Sequence, residues 1–113
     1  MDHKTKGIEG EAIAKQHYEN LGCEILEVNY RYKRSEIDLV VLQNEEVLIF
    51  VEVKFRSSNA FGEPESFVTE GQMERIKTAA EDYIFAINWN GDLRFDIVSI
   101  DAKNNLEVFE DAF

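Results

Sequence analysis

Apolar positions along residues 5–21 fall near helical spacing, with Ile8, Ala12, Tyr18 and Leu21 on one predicted face and Gly22 just past the end. Residues 23–32 lack a helical stripe. Their Ile, Val and Tyr content and broken alternation (Cys23, Ile25, Tyr30) predict a strand. Two runs rich in Val, Ile, Leu and Phe follow at 36–42 and 47–55, and the polar stretch between them predicts a hairpin. Residues 57–68 carry the only proline and no periodicity, which predicts a loop of a length often used for function. Thr69 and Gln72 form a capping-box pattern, and Met73, Ile76, Ala80, Tyr83 and Ile87 continue at helical spacing until Asn88-Trp89-Asn90-Gly91 stops the run. Residues 93–100 and 106–109 predict two more strands. The order αβββαββ describes an α/β sandwich, a single domain over 1–113 without repeat or linker.

The chain has 113 residues, 44% of them hydrophobic, enough apolar content for a packed core. No apolar run is longer than the five residues at 47–51, far short of the roughly 18–20 needed to cross a bilayer, so no membrane association is expected. The start is polar, without the apolar stretch of a secretory signal, and the single Cys23 has no cysteine partner for a disulfide or zinc site. A cytoplasmic protein is expected. The net charge is −11, which repels phosphate overall, but it is unevenly spread. Residues 57–113 hold 12 acids against 4 bases, whereas residues 31–56 hold 5 of each. A local basic patch, with Arg31, Lys33, Arg34, Lys54 and Arg56, sits on an acidic body.

The hairpin carries the chemistry, because acids and a lysine interrupt strands that otherwise read as buried. Side chains alternate along a strand, so Glu52, Lys54 and Arg56 share one face and Val51, Val53 and Phe55 the other. A three-residue turn at 44–46 sets Gln43 against Val47, and counting back sets Asp38 against Glu52 and Glu36 against Lys54. Two carboxylates roughly 5 Å apart repel by about 3 kcal/mol at an effective dielectric near 20. A hard divalent cation held by both offsets that repulsion and screens phosphate, while Lys54 steadies developing negative charge. That chemistry is phosphodiester hydrolysis.

Asp38 followed by Glu52-Val53-Lys54 resembles the D…(D/E)-X-K signature of restriction-endonuclease-like nucleases. Gly10-Glu11-Ala12, Asn29-Tyr30-Arg31, Glu36-Ile37-Asp38-Leu39, Phe50-Val51-Glu52-Val53-Lys54 with Arg56, Phe61-Gly62, Arg94-Phe95-Asp96 and Ala112-Phe113 are more closely similar to the YraN family, bacterial proteins of unproven function similar to Holliday-junction resolvases. The resemblance spans nearly the whole chain. It implies a restriction-endonuclease-like αβββαβ core, a central mixed sheet flanked by helices, and a metal-dependent endonuclease acting on DNA, including branched DNA. It further implies Mg2+ or Mn2+ held by Asp38, Glu52 and Val53, Lys54 as catalytic lysine, Glu11 as a further acid near the metal, and Gln72 near the phosphate. Arg31, Arg34 and Arg56 are candidate nucleic-acid contacts, and cutting two strands at once calls for a homodimer.

Other readings of the same residues stand beside these. Glu36 and Lys54 suffice for a cross-strand ion pair with Glu52 exposed, Glu11 and Lys15 for a helix-surface pair, and Arg31, Lys33 and Arg34 for a solvated turn. Asp96 either orients Lys54 or Arg56 or makes a structural ion pair. Cys23 reads as core, and His3 and His17 receive no role. For the whole chain the alternative is a non-catalytic scaffold that keeps the fold, favoured by the acidic C-terminal half and the sparsely basic second helix.

Overall fold

A computed structural model describes residues 3–56 and 68–113, with residues 3–8 as backbone alone. The elements are α1 (His3–Asn20), β1 (Glu24–Tyr32), β2 (Ser35–Gln43), β3 (Val47–Phe55), α2 (Glu70–Ile87), β4 (Asp92–Ile100) and β5 (Leu106–Phe109). They follow the order that the patterning predicts. The strands form one five-stranded sheet in the order β1-β2-β3-β4-β5, antiparallel throughout except for the β3–β4 pair, which is parallel. The expected mixed sheet flanked by helices is what the chain builds. Of the predicted loop at 57–68, residues 57–67, with Phe61-Gly62 and Pro64, lie outside the described residues, as do the His3 and Ile8 side chains.

Each face of the sheet has its own core. Leu48, Phe50, Val40 and Ile97 pack beneath Ile76, Ala79, Ala80 and Tyr83 of α2, while Ile49, Val51, Val41 and Val98 pack beneath Ala14 and Tyr18 of α1. Strand β3 is covered on both faces, which explains its unbroken apolar run. The stripe predicted for α1 is corrected. Ala12 is exposed and Leu21 is 57% exposed, whereas Gly10, Ala14 and Tyr18 are buried. Tyr18 is the one large anchor on the described face, and counting back by fours from it, rather than averaging weakly apolar positions, gives the true contact line.

Helix α2 begins as its sequence dictates: Thr69 accepts from the Gln72 amide at 3.1 Å, and the Gln72 side chain accepts the Thr69 N–H at 3.1 Å. It ends at Asn88, which takes a left-handed conformation and donates to Phe85. Among the described residues no helix is long and apolar enough to cross a membrane.

Candidate functional site

Asp38 stands where β2 stops alternating. Ile37 packs into the α2 layer and Leu39, two residues on, into the α1 layer, so the strand turns over between them. Asn29 lies opposite on β1, between the pairs Val28–Leu39 and Tyr30–Ile37, with a left-handed φ of 54°. The β2–β3 ladder starts at Gln43–Val47, as the three-residue turn predicts, and ends at Leu39–Val51. Asp38 and Glu52 fall one step beyond it. The expected ladder pairing of these two acids is therefore corrected: the turnover at Asp38 ends the main-chain pairing, and Asp38 Oδ2 accepts the Val53 N–H at 2.7 Å instead.

The two acids still act on one another. Burial pushes the Asp38 carboxyl up to about 8, the Glu52 charge adds to the rise, and the Val53 hydrogen bond pulls against it. Burial also raises Glu52, against the opposing pull of Lys54. Lys54 Nζ lies 3.3 Å from Glu52 Oε1. The expected Glu36–Lys54 opposition is thus also corrected, because β2 has left the β3 ladder before Glu36. Glu36 instead pairs across β1 with Arg31, at 3.5 Å.

Glu11 reaches the same place from α1, where buried Gly10 packs against Ile100 and Val53. Oxygens of Glu11, Glu36 and Asp38 all lie within 4.8 Å of one another. Burial raises the Glu11 carboxyl, a hydrogen bond from Asn29 lowers it, and Glu36 raises it again. The left-handed turn of Asn29 thus sets a donor against Glu11. Oxygen-only donors of this kind suit a hard divalent cation such as magnesium or manganese, and they suit zinc or copper poorly.

Arg34, Ser35, Glu36, Asp38, Glu52, Gln72, Arg75 and Ile76 line a cleft of about 190 Å³ between the start of β2, the end of β3 and the first turns of α2. Gln72 lines it with its side-chain oxygen committed to the α2 cap, which leaves its NH2 uncommitted. Arg34 is there too. Arg56 is not: it pairs with Glu107 of β5 at 3.6 Å, and Arg31 is committed to Glu36 at the exposed end of β1. Val53 meets Asp38 through its N–H, while its side chain joins the α1 core. Asp96 orients neither Lys54 nor Arg56. It is fully buried, held by two Arg94 hydrogen bonds of 2.9 Å and by the Tyr18 hydroxyl at 2.8 Å.

Three residues of the site escaped the sequence reading. Glu36 shares the Asp38 neighbourhood, yet the hairpin register had assigned it to Lys54. Arg75 lies one helical turn from Gln72, a spacing that places both on one side of α2. Nothing in the sequence marks Asn29 as left-handed beyond asparagine's tolerance for that conformation.

A family model described as "Uncharacterised protein family UPF0102" matches residues 10–100. A UPF0102 protein of Cytophaga hutchinsonii is 44% identical over 91% of this chain and 90% of its own length. Another, from Saccharophagus degradans, is 39% identical over 98% and 94%. Among solved structures, SfsA of Pyrococcus furiosus in complex with Ca2+ matches at 12% identity and a TM-score of 0.36, with 95% of this chain spanning 62% of that one.

Proposed function

The chain belongs to the uncharacterised protein family UPF0102, and from that premise we propose that it is a metal-dependent endonuclease that hydrolyses phosphodiester bonds in DNA, branched DNA included. The observation that carries this reading is the meeting of Asp38 and Glu52, with Lys54 bound to Glu52, at a cleft rimmed by Arg34 and Gln72. Asp38 and Glu52, joined by Glu11, would hold Mg2+ or Mn2+, which when bound supplies concentrated positive charge beside the scissile phosphate.

The protein's own groups do the rest. Glu52 fixes the Lys54 ammonium, which stabilises the charge that grows as water attacks phosphorus and the ester oxygen departs. The Gln72 NH2 holds a phosphate oxygen and orients the ester for in-line attack. The Val53 N–H fixes one oxygen of Asp38 and leaves the other for the ion. One copy presents one such cleft, so cutting both strands at once calls for a homodimer.

The test is cleavage of linear, flapped and four-way DNA with magnesium or manganese, alongside Asp38→Asn and Glu52→Gln. Metal-dependent products from the parent and none from either variant support the reading, and full cleavage by Asp38→Asn overturns it. The net charge of −11 favours a second reading, a non-catalytic scaffold with the same fold. Absence of both DNA binding at low salt and cleavage would leave that one standing.

A further inference from the structure

The cleft holds two arginines beside its carboxylates, and among the described residues neither Arg34 nor Arg75 makes an ion pair. This contrasts with Arg31, Arg56 and Arg94, each of which is committed to an acid. Arg75 is an exposed residue at the rim of that cleft. Its side chain folds back over the first turn of α2, where a Cβ added to Gly71 would meet Arg75 Nη1 at 3.4 Å. The start of a helix carries partial positive charge, and a guanidinium beside it adds to the pull on an anion. Glu70 is the only acid in that turn, and it makes no ion pair with Arg75 among the described residues.

We infer that Arg75 and Arg34 form a second phosphate subsite, which holds the phosphodiester next to the one that is cut. This rests on the endonuclease reading and goes further by naming how the strand lies. One phosphate sits against the carboxylates and Lys54, and its neighbour crosses the first turn of α2. A guanidinium suits this task because its planar fork offers paired donors to two phosphate oxygens. Gly71, without a side chain, leaves the backbone beneath the guanidinium open to the strand. The subsite also bears on the charge problem: on a body of net charge −11, two arginines without an acid partner at one cleft help draw a strand to that cleft.

The experiment is fluorescence anisotropy of a short labelled thymidine oligonucleotide against salt, in EDTA and again with calcium, for the parent, Arg34→Gln, Arg75→Gln and Lys15→Gln. Lys15 lines a separate groove beside β1, so its variant removes the same charge elsewhere. Each arginine variant is expected to lower the log–log salt slope by about 0.7, the value for one phosphate contact on a single strand, while Lys15→Gln leaves it unchanged. An oligonucleotide with an uncharged methylphosphonate backbone should bind the parent no better than the arginine variants bind the normal one. In cleavage assays Arg75→Gln should raise KM several-fold with kcat little changed. Slopes for Arg75→Gln equal to the parent's, or to those of Lys15→Gln, overturn the subsite and leave the endonuclease reading intact. A parent that binds no oligonucleotide at low salt overturns both.

Discussion

Asp38 accepts the amide hydrogen of Val53 at 2.7 Å, one residue beyond the point where the β2–β3 ladder ends. A carboxylate thus takes over where a main-chain carbonyl would have continued the sheet, and the same bond holds the acid in place. Two substitutions separate these roles. Asp38→Asn keeps an oxygen for the Val53 N–H and loses the charge, so it should fold with stability at or above the parent's and lose magnesium binding. Asp38→Ala orphans a half-buried N–H and should cost about 1–3 kcal/mol. Denaturant titration with parallel calorimetry of magnesium checks both. Equal stability losses in the two variants would remove the hydrogen bond from the account.

Asp38 also predicts a pH dependence with a definite sign. Its carboxyl is raised to about 8 by burial and the Glu52 charge, against an ordinary value near 4 in the unfolded chain. Between those values the folded protein holds a proton that the unfolded chain has released. The stability of the metal-free protein should therefore fall as pH rises through that window, by up to about 1.4 kcal/mol per pH unit for one proton. A cation that replaces the proton reverses the trend, so binding of magnesium should tighten with pH and release protons. Thermal unfolding at several pH values, with and without magnesium, reads this directly, and Asp38→Asn should flatten the metal-free curve.

Lys54 is tied to Glu52 at 3.3 Å and is only a quarter exposed. Its charge holds Glu52 down against burial, which raises it. Lys54→Met should leave magnesium binding within a few-fold of the parent, because the ion itself offsets the acids, yet lower the cleavage rate by about 10²–10³. Rates under single-turnover conditions beside calorimetric affinities check the split. Loss of both together would make Lys54 a structural partner of Glu52 alone.

Much of this arrangement is legible in the sequence where local rules act alone. The turn at 44–46 fixes the hairpin register, Thr69 and Gln72 fix the start of α2, and alternation puts Glu52 and Lys54 on the α2 side of β3. The Asp38 neighbourhood was only half legible, because alternation cannot foresee a strand that turns over. Ile37 and Leu39 are equally apolar, and only the helices on either face decide that they part. Glu36 was lost for that reason, since a straight β2 would have aimed it at Lys54. The α1 contact line was lost for another: glycine and alanine bury as readily as isoleucine when a helix lies close, but they leave little trace in hydropathy.

The Asp96 cluster should matter for folding and not for the cleft. Asp96 accepts from Arg94 twice, from the Tyr18 hydroxyl and from the Asp111 N–H at 3.1 Å, so β4, α1 and the chain end converge on one buried carboxylate. The end is held further by the Ala112 N–H on the Phe95 carbonyl at 2.7 Å and by Phe113 against the Phe95 ring. Tyr18→Phe removes one donor and should cost about 1–2 kcal/mol. Asp96→Asn leaves the Arg94 guanidinium with only the exposed Glu110 carboxylate, 3.6 Å away, as counter-charge and should cost up to about 3–5 kcal/mol. Both losses should appear in denaturant midpoints, while magnesium affinity of the folded protein stays at the parent value. A change in that affinity for Tyr18→Phe would mean that Asp96 does reach the Asp38 cluster, through α1 and Glu11.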